Sequence, residues 1–288
     1  MLTTEPFFTT LSASKDASKR SLMEWRYNNP TFKVDQENPG FEESPWSGHR
    51  RFAYDLVTAI RPTSIVELGA FVGASLFAFA QAIQDAHLPT SLVAVDTWLG
   101  DQHAGHYDDH VYEFVRDVRA RVFPEQDIRL LRKTFLEARH DVADNSVEIL
   151  HIDGLHTYEA VKEDFETWLC KVAPDGIVLF HDVATDKDFG SVTYWRELTE
   201  RYPSLTFFHS HGLGVLFPRG DRHLPLIMGG DWQARNMRYA LDFLAHSNVL
   251  LVSKFSAKID EQKERISHLE KLLTEQRQLL SRFGKVAE

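Results

Sequence analysis

Aspartate and histidine recur at two places where an apolar run ends. In SVEILHIDGLHTYEAVKEDF, residues 146–165, Asp153 closes the run and His156 follows three residues later; in GIVLFHD, residues 176–182, the run closes on His181 and Asp182. If the two runs are neighbouring parallel strands, their ends lie about 4.8 Å apart and these side chains can converge on one ion. The ligands would be the carboxylates of Asp153 and Asp182, with the imidazole of His181 able to join them. Oxygen-rich coordination favours magnesium, and a participating His181 shifts the preference toward manganese or iron. His156 would face the same cleft, where an imidazole with an ordinary pKa of about 6.5 suits a base that takes a proton from a hydroxyl. Plainer roles stay open. Asp153 can cap a helix starting near Thr157, His156 can be a loop residue, and His181 a buried, hydrogen-bonded strand end. His151, in the same quoted stretch, reads as a packed core histidine.

The elements that must hold these residues are legible on either side. Strand-like runs SIVEL, SLVAVD, DIRLL, SVEILHID and GIVLFHD alternate with helical patterns RFAYDLVTAI, ASLFAFAQAIQDA, DDHVYEFVRDVRARV and TYEAVKEDFETWLCKV. Such alternation predicts an α/β fold whose parallel sheet is covered on both faces. LTFFHSHGLGVLFP, residues 205–218, then carries a turn between two strand-like runs, an antiparallel hairpin at the end of the sheet. Residues 231–247 predict a further helix. Beyond Phe255, Ile259, Ile266, Leu273 and Leu280 recur every seven residues, Leu269 and Phe283 fill intervening d positions, and Gln262 and Gln276 occupy the other two. This is a coiled-coil seam with defects, able to pair two chains or a partner over residues 256–283. A helix docked on its own domain is the alternative. The division expected is an arm or cap over 1–45, a catalytic domain over 46–220, a helical extension over 221–254 and a coiled-coil helix over 255–288.

Composition limits the partners. The chain of 288 residues has 32 basic against 42 acidic side chains, a net charge of −10, which argues against non-specific nucleic-acid binding. Cys170 is the single cysteine, so no intramolecular disulfide or cysteine-rich metal site forms. No run reaches the ~20 apolar residues of a membrane span, and the opening residues have no apolar core of signal-peptide length. A cytoplasmic location is the expectation.

VELGAFVGAS, residues 66–75, follows the first strand and opens a helix. Gly69 permits a tight turn and Gly73 a close approach to a ligand. The spacing Glu67-x-Gly69-x-x-x-Gly73 is not the dinucleotide pattern G-x-G-x-x-G, and a turn without a ligand stays open. Asp96 ends the second strand, where a carboxylate can accept both hydroxyls of a ribose.

Together these features resemble the class I S-adenosylmethionine-dependent methyltransferases. VELGAFVGAS, VDTWLGD, HIDGLHTYEAVKEDF and GIVLFHDV are similar to the bacterial group that includes the macrocin and mycinamicin type sugar O-methyltransferases of polysaccharide and natural-product pathways. The resemblance covers about residues 50–217. It implies a Rossmann-like seven-stranded sheet and a small-molecule or glycan acceptor. Glu67, Gly69, Ala70, Gly73 and Ser75 would line the methionine end of the cofactor, Asp96 the ribose, and Trp98, Thr134 and Phe135 the adenine. It also implies metal ligands at Asp153 and the fifth strand end, with His156 as base. The chain departs from the pattern at His181-Asp182, where the sugar enzymes carry an acidic pair.

Two other functions fit parts of the sequence. One is a methyltransferase-like scaffold without turnover, pairing with a glycosyltransferase or other partner through its C-terminal helix. The other is a metal-dependent oxygenase using Asp153, His156 and His181, which would leave the glycine loop without a purpose. Outside these motifs, His103, His106 and His110 fall where a loop would overhang the cofactor. Asp188, Tyr194 and Trp195 are candidates for walling an acceptor pocket, although Trp195 reads first as packing on the sheet. His209 and His211 read as hairpin-turn residues with no chemistry.

Overall fold

The computed structural model describes residues 24–38, 41, 44–101 and 105–284, the side chains beyond residue 276 excepted. The apolar runs become strands β1 (Ser64–Leu68), β2 (Ser91–Asp96), β5 (Ile128–Arg132), β6 (Val147–Ile152) and β7 (Val172–His181). They pair in parallel in the order β5-β2-β1-β6-β7. Strands β8 (Ser204–Phe207) and β9 (Leu213–Leu216) complete a seven-stranded Rossmann-like sheet, with β9 antiparallel to both β7 and β8. A two-stranded hairpin, β3 (Gly100–Asp101) with β4 (Gly105–His106), stands beside it.

Helices cover both faces. On one lie α1 (Arg50–Ile60), α2 (Ala74–Asp85) and α3 (Asp109–Val122); on the other lie α4 (Phe135–Ala138), α5 (Tyr158–Trp168) and α6 (Gly190–Arg201). The central strands are buried on both faces, which is why they read as unbroken apolar runs. From β1 the chain winds outward to β2 and β5, then returns to β6 on the other side. The carboxyl ends of β1 and β6 therefore bound the crevice in which open α/β sheets take their ligands.

The segment ahead of α1 packs into the first core, with Trp25, Phe32, Val34, Phe41 and Trp46 all buried. A short helix α7 (Leu224–Met228) leads to α8 (Trp232–Gly284), one uninterrupted helix with no break at the expected 254/255 boundary. Its first turns are fastened to the domain. The Tyr239 hydroxyl donates to buried Asp55, which also accepts from the Asn28 backbone N–H at 3.0 Å and from its amide at 2.7 Å. Arg51 pairs with Asp242 at 2.9 Å. From residue 251 to 276 every residue is exposed, and none of the described residues covers the distal helix enough to bury it. Among the described residues no helix is long and apolar enough to cross a membrane.

Candidate active site

Gly69 is where the glycine loop and the Asp153 motif meet. Its φ of +90° is open to glycine, and a Cβ there would stand 2.0 Å from the Asp153 carbonyl oxygen. The Asp153 N–H donates to the Leu68 carbonyl at 2.8 Å and the Gly69 N–H to Val95 at 2.9 Å, so three strand ends are tied together around it. A cavity of about 870 Å³ opens over this junction, within the range of small-molecule and cofactor sites.

One end of the cavity is built by the glycine loop. Gly69, Ala70 and Ser75 line it, with Asp96, Thr134 and Phe135. Asp96 lies where the sequence placed it, but its carboxylate already accepts from the N–H groups of Ala70 (3.0 Å), Phe71 (2.9 Å) and Trp98 (2.7 Å). A carboxylate offers about four acceptor positions, so the loop as it stands leaves Asp96 room for roughly one ribose hydroxyl, not the expected two. Thr134 caps α4 in a capping box with Glu137, which fixes Phe135 at the first helical position.

Three of the expected cofactor residues lie behind the lining instead of in it. A Cβ on Gly73 would meet the Phe77 ring at 2.5 Å, so this glycine serves helix packing. Trp98 is fully buried and its indole N–H donates to the Phe71 carbonyl at 2.8 Å, bracing the loop from beneath. Glu67 is fully buried against His151, whose Nδ1 lies 2.9 Å from Glu67 Oε1. The Trp46 indole, which has only a donor, contacts His151 Nε2 at 3.0 Å. Nε2 must accept, so Nδ1 carries the proton and donates to Glu67. Burial pushes the Glu67 carboxyl up.

At the other end Asp153, His181 and Asp182 bring one ligand atom each within 4.8 Å of one another. His181 Nδ1 lies 3.4 Å from Asp153 Oδ1 and 3.0 Å from Asp182 Oδ2. Its Nε2–H donates to the Ser210 carbonyl at 3.2 Å. This bond turns Nδ1 toward the carboxylates, the arrangement by which an outer partner orients a metal-binding histidine. His156 Nε2 lies 2.9 Å from Asp182 Oδ2 and 3.8 Å from Asp153 Oδ1, and its ring stacks on Phe189 at 4.5 Å. His156 therefore rests against the ligand group, not inside it, and the oxygenase set of Asp153, His156 and His181 does not form.

Burial alone would lower both imidazole pKa values. The facing carboxylates outweigh it and hold His156 at about 9 and His181 at about 10. Burial would likewise raise the acids, yet the imidazoles hold Asp153 at about 2 and Asp182 well below its ordinary range. Two protons on imidazoles thus balance two carboxylates. A divalent cation carries the same charge, and two carboxylate oxygens with one imidazole nitrogen are a donor set that fits magnesium or manganese.

His211, given no chemistry in the sequence, lines the cavity and donates from Nδ1 to Asp182 Oδ1 at 3.0 Å. Trp46 and Asp164 also line it. Burial, followed by the charge of Glu163, raises the Asp164 carboxyl to about 7. The i,i+3 spacing of Asp153 and His156 pointed at the site; His211 and Trp46 carry no comparable local signal because only tertiary folding brings them there. Tyr194 and Trp195 are buried in the second core and Asp188 is exposed, so these three do not wall the cavity. His106 and His110 are exposed, and His103 lies outside the described residues.

Residues 66–183 match a family model described as a methyltransferase domain. This segment is similar to methyltransferase domains. The chain is similar in fold to a Staphylococcus aureus protein assigned as a caffeoyl-CoA O-methyltransferase, at 16% identity and a TM-score of 0.51, covering 67% of this chain and 93% of that one. The chain is also 47% identical over 178 residues to the uncharacterized protein y4gI of Sinorhizobium fredii, covering 60% of this chain and 19% of that protein. It thus spans about a fifth of the length of that relative. The methyltransferase match begins in β1 and ends just after Asp182, so it contains the glycine loop, Asp96, Asp153, His156 and the His181-Asp182 pair. Trp46, Ser210 and His211 fall outside it.

Proposed function

We propose that this protein is an S-adenosylmethionine-dependent O-methyltransferase that, with a divalent cation, methylates a hydroxyl of a sugar or glycosylated acceptor in polysaccharide or natural-product biosynthesis. The observation that carries this reading is the placement of Asp153, His181, Asp182 and His156 in one cavity with the glycine loop and Asp96. The acceptor class rests on the resemblance of the VELGAFVGAS and HIDGLHTYEAVKEDF motifs to sugar O-methyltransferases.

S-adenosylmethionine, when bound, supplies the electrophilic methyl group, and magnesium or manganese supplies positive charge for a developing alkoxide. Asp96 and the Gly69–Ala70 turn would hold the nucleoside and methionine portions, with Thr134 and Phe135 beside the adenine. The cation would be held by Asp153, Asp182 and His181. The His156 imidazole takes the proton of the acceptor hydroxyl. Its ring is set by Phe189 on one face and by Asp182 at Nε2. Neutral imidazole is the form a base requires; positive charge held at Asp153 and Asp182 would offset the carboxylate charge that keeps His156 protonated. The catalytic unit is residues 46–220, and its location is cytoplasmic.

Calorimetric titration with S-adenosylhomocysteine, with and without magnesium, tests the reading. Micromolar binding that Asp96→Ala abolishes is expected; no binding under any metal condition overturns it.

A further inference from the structure

The distal half of α8 is an exposed helix. Over residues 251–276 every side chain is exposed, and at 1.5 Å per residue this stretch extends roughly 40 Å. In proteins most of a helix's stability comes from packing an amphipathic face, not from propensity alone. Such a face is present. Val252, Ile259, Ile266 and Leu273 repeat at seven-residue intervals, with Phe255 and Leu269 between them, and each is more than half exposed. Placing the first four at a puts Phe255, Gln262, Leu269 and Gln276 at d.

We infer that this face pairs with the same face of a second copy of the chain, in parallel and in register, to form a two-stranded coiled coil. Three observations select that occupant. The a positions are β-branched in three heptads of four and Leu269 stands at d, the combination that favours two parallel strands. The two glutamines decide the orientation. In register, Gln262 meets Gln262 and Gln276 meets Gln276, so each amide finds a complementary amide across the seam. An antiparallel pairing centred on Ile266 and Leu269 would set Gln276 against Ile259 and Gln262 against Leu273, leaving amide groups buried without partners.

The flanking charges suit self-association, since Lys and Arg are interspersed with Asp and Glu along the helix. In the parallel register Arg265 faces Glu270, an attraction, and Lys258 faces Lys263, a repulsion. The antiparallel register would instead pair Lys263 with Glu270. Exposed ion pairs contribute little, whereas a buried amide without a partner is costly, so the glutamine layers outweigh the rim. Both methyltransferase domains then lie at the same end of the coil. This inference is independent of the reaction proposed above.

Sedimentation equilibrium of the full chain tests it. The expected mass is twice the 33.1 kDa monomer, falling to the monomer in the double variant Ile266→Asp, Leu273→Asp. An unchanged near-ultraviolet circular dichroism spectrum would show that the domain stays folded. A monomeric or trimeric wild-type chain, or a dimer that survives the double substitution, overturns the pairing. For orientation, exposed Cys170 is first replaced by serine. Gln262→Cys in that background is expected to form a covalent dimer on oxidation. Cross-linking confined to mixtures of Ile259→Cys and Gln276→Cys chains overturns the parallel register.

Discussion

Asp182 is held from both sides, with His211 Nδ1 on Oδ1 at 3.0 Å and His156 Nε2 on Oδ2 at 2.9 Å. His211 belongs to the hairpin turn between β8 and β9, where it follows Ser210, and both residues have left-handed φ values, 65° and 53°. Two such non-glycine residues in succession are costly and persist where surrounding contacts enforce them. The contacts here are specific: the Ser210 carbonyl accepts from His181 Nε2 at 3.2 Å and from His49 Nε2 at 3.1 Å. One turn therefore orients both an imidazole and a carboxylate of the candidate metal group.

Removing the outer support should loosen the ion before it affects the cofactor. His211→Ala is expected to weaken manganese binding by about 10- to 100-fold, the usual effect of losing an outer-shell partner. Affinity for S-adenosylhomocysteine should stay at the wild-type value, since Asp96 and the glycine loop are untouched. Electron paramagnetic resonance of free manganese reads the first quantity and calorimetry the second. Equal loss in both, or in neither, removes His211 from this role.

His156 should separate chemistry from binding. With His156→Ala, turnover at neutral pH is expected to drop by about 10²- to 10⁴-fold, the contribution of a positioned general base. Cofactor affinity should be retained, because the side chain contacts Asp182 and Phe189 and not the glycine loop. A single-turnover assay with saturating cofactor makes the comparison, and a variant as fast as wild type would exclude His156 as the base.

The contrast between two glycines isolates packing from backbone conformation. Gly69 and Gly105 have similar φ values, +90° and +82°, yet a Cβ on Gly105 meets nothing within 4 Å while one on Gly69 would strike the Asp153 carbonyl. Gly105→Ala should cost only the left-handed strain, about 1 kcal/mol. Gly69→Ala must also part β1 from the Asp153 turn, and a further loss of about 1–3 kcal/mol is expected. Urea midpoints of the two variants test this. Equal midpoints would mean that the two strand ends are not locked together at Gly69.

The parallel sheet and the residues at its strand ends were legible because both depend on local pattern. Buried strands leave continuous apolar runs, and the polar residue that ends each run faces the crevice; Asp96, Asp153 and Asp182 were found this way. Residues that act through depth were harder to place. Trp98 and Glu67 lie within motifs that suggest ligand contact, yet they sit beneath the loop as its support, a distinction that needs the third dimension. His211 looked like turn chemistry because the return of β9 beside β7, which brings the turn over Asp182, is a tertiary event. The helix after residue 231 showed its heptads, but only its exposure separates a free seam from a docked one.

Asp55 offers a stability measurement at a position remote from the ligand cavity. It joins α1, half-buried Asn28 and Tyr239 of α8 in one cluster, in which Asp55 and Tyr239 are buried. Burial pushes its pKa up to about 6, although the donors from Tyr239 and Asn28 pull it down. An unfolded aspartate titrates at about 3.9, so the fold binds this proton more tightly than the unfolded chain does. The resulting stabilisation is complete below about pH 4 and is lost as pH rises through about 6, with an upper bound of about 3 kcal/mol. Asp55→Asn keeps a carbonyl for Asn28 and has no proton to lose. Wild type should therefore lose stability relative to the variant between about pH 4 and pH 6.5, as read by urea unfolding of both proteins at each pH. A stability difference that does not change over that interval would mean that Asp55 enters the fold with an ordinary pKa.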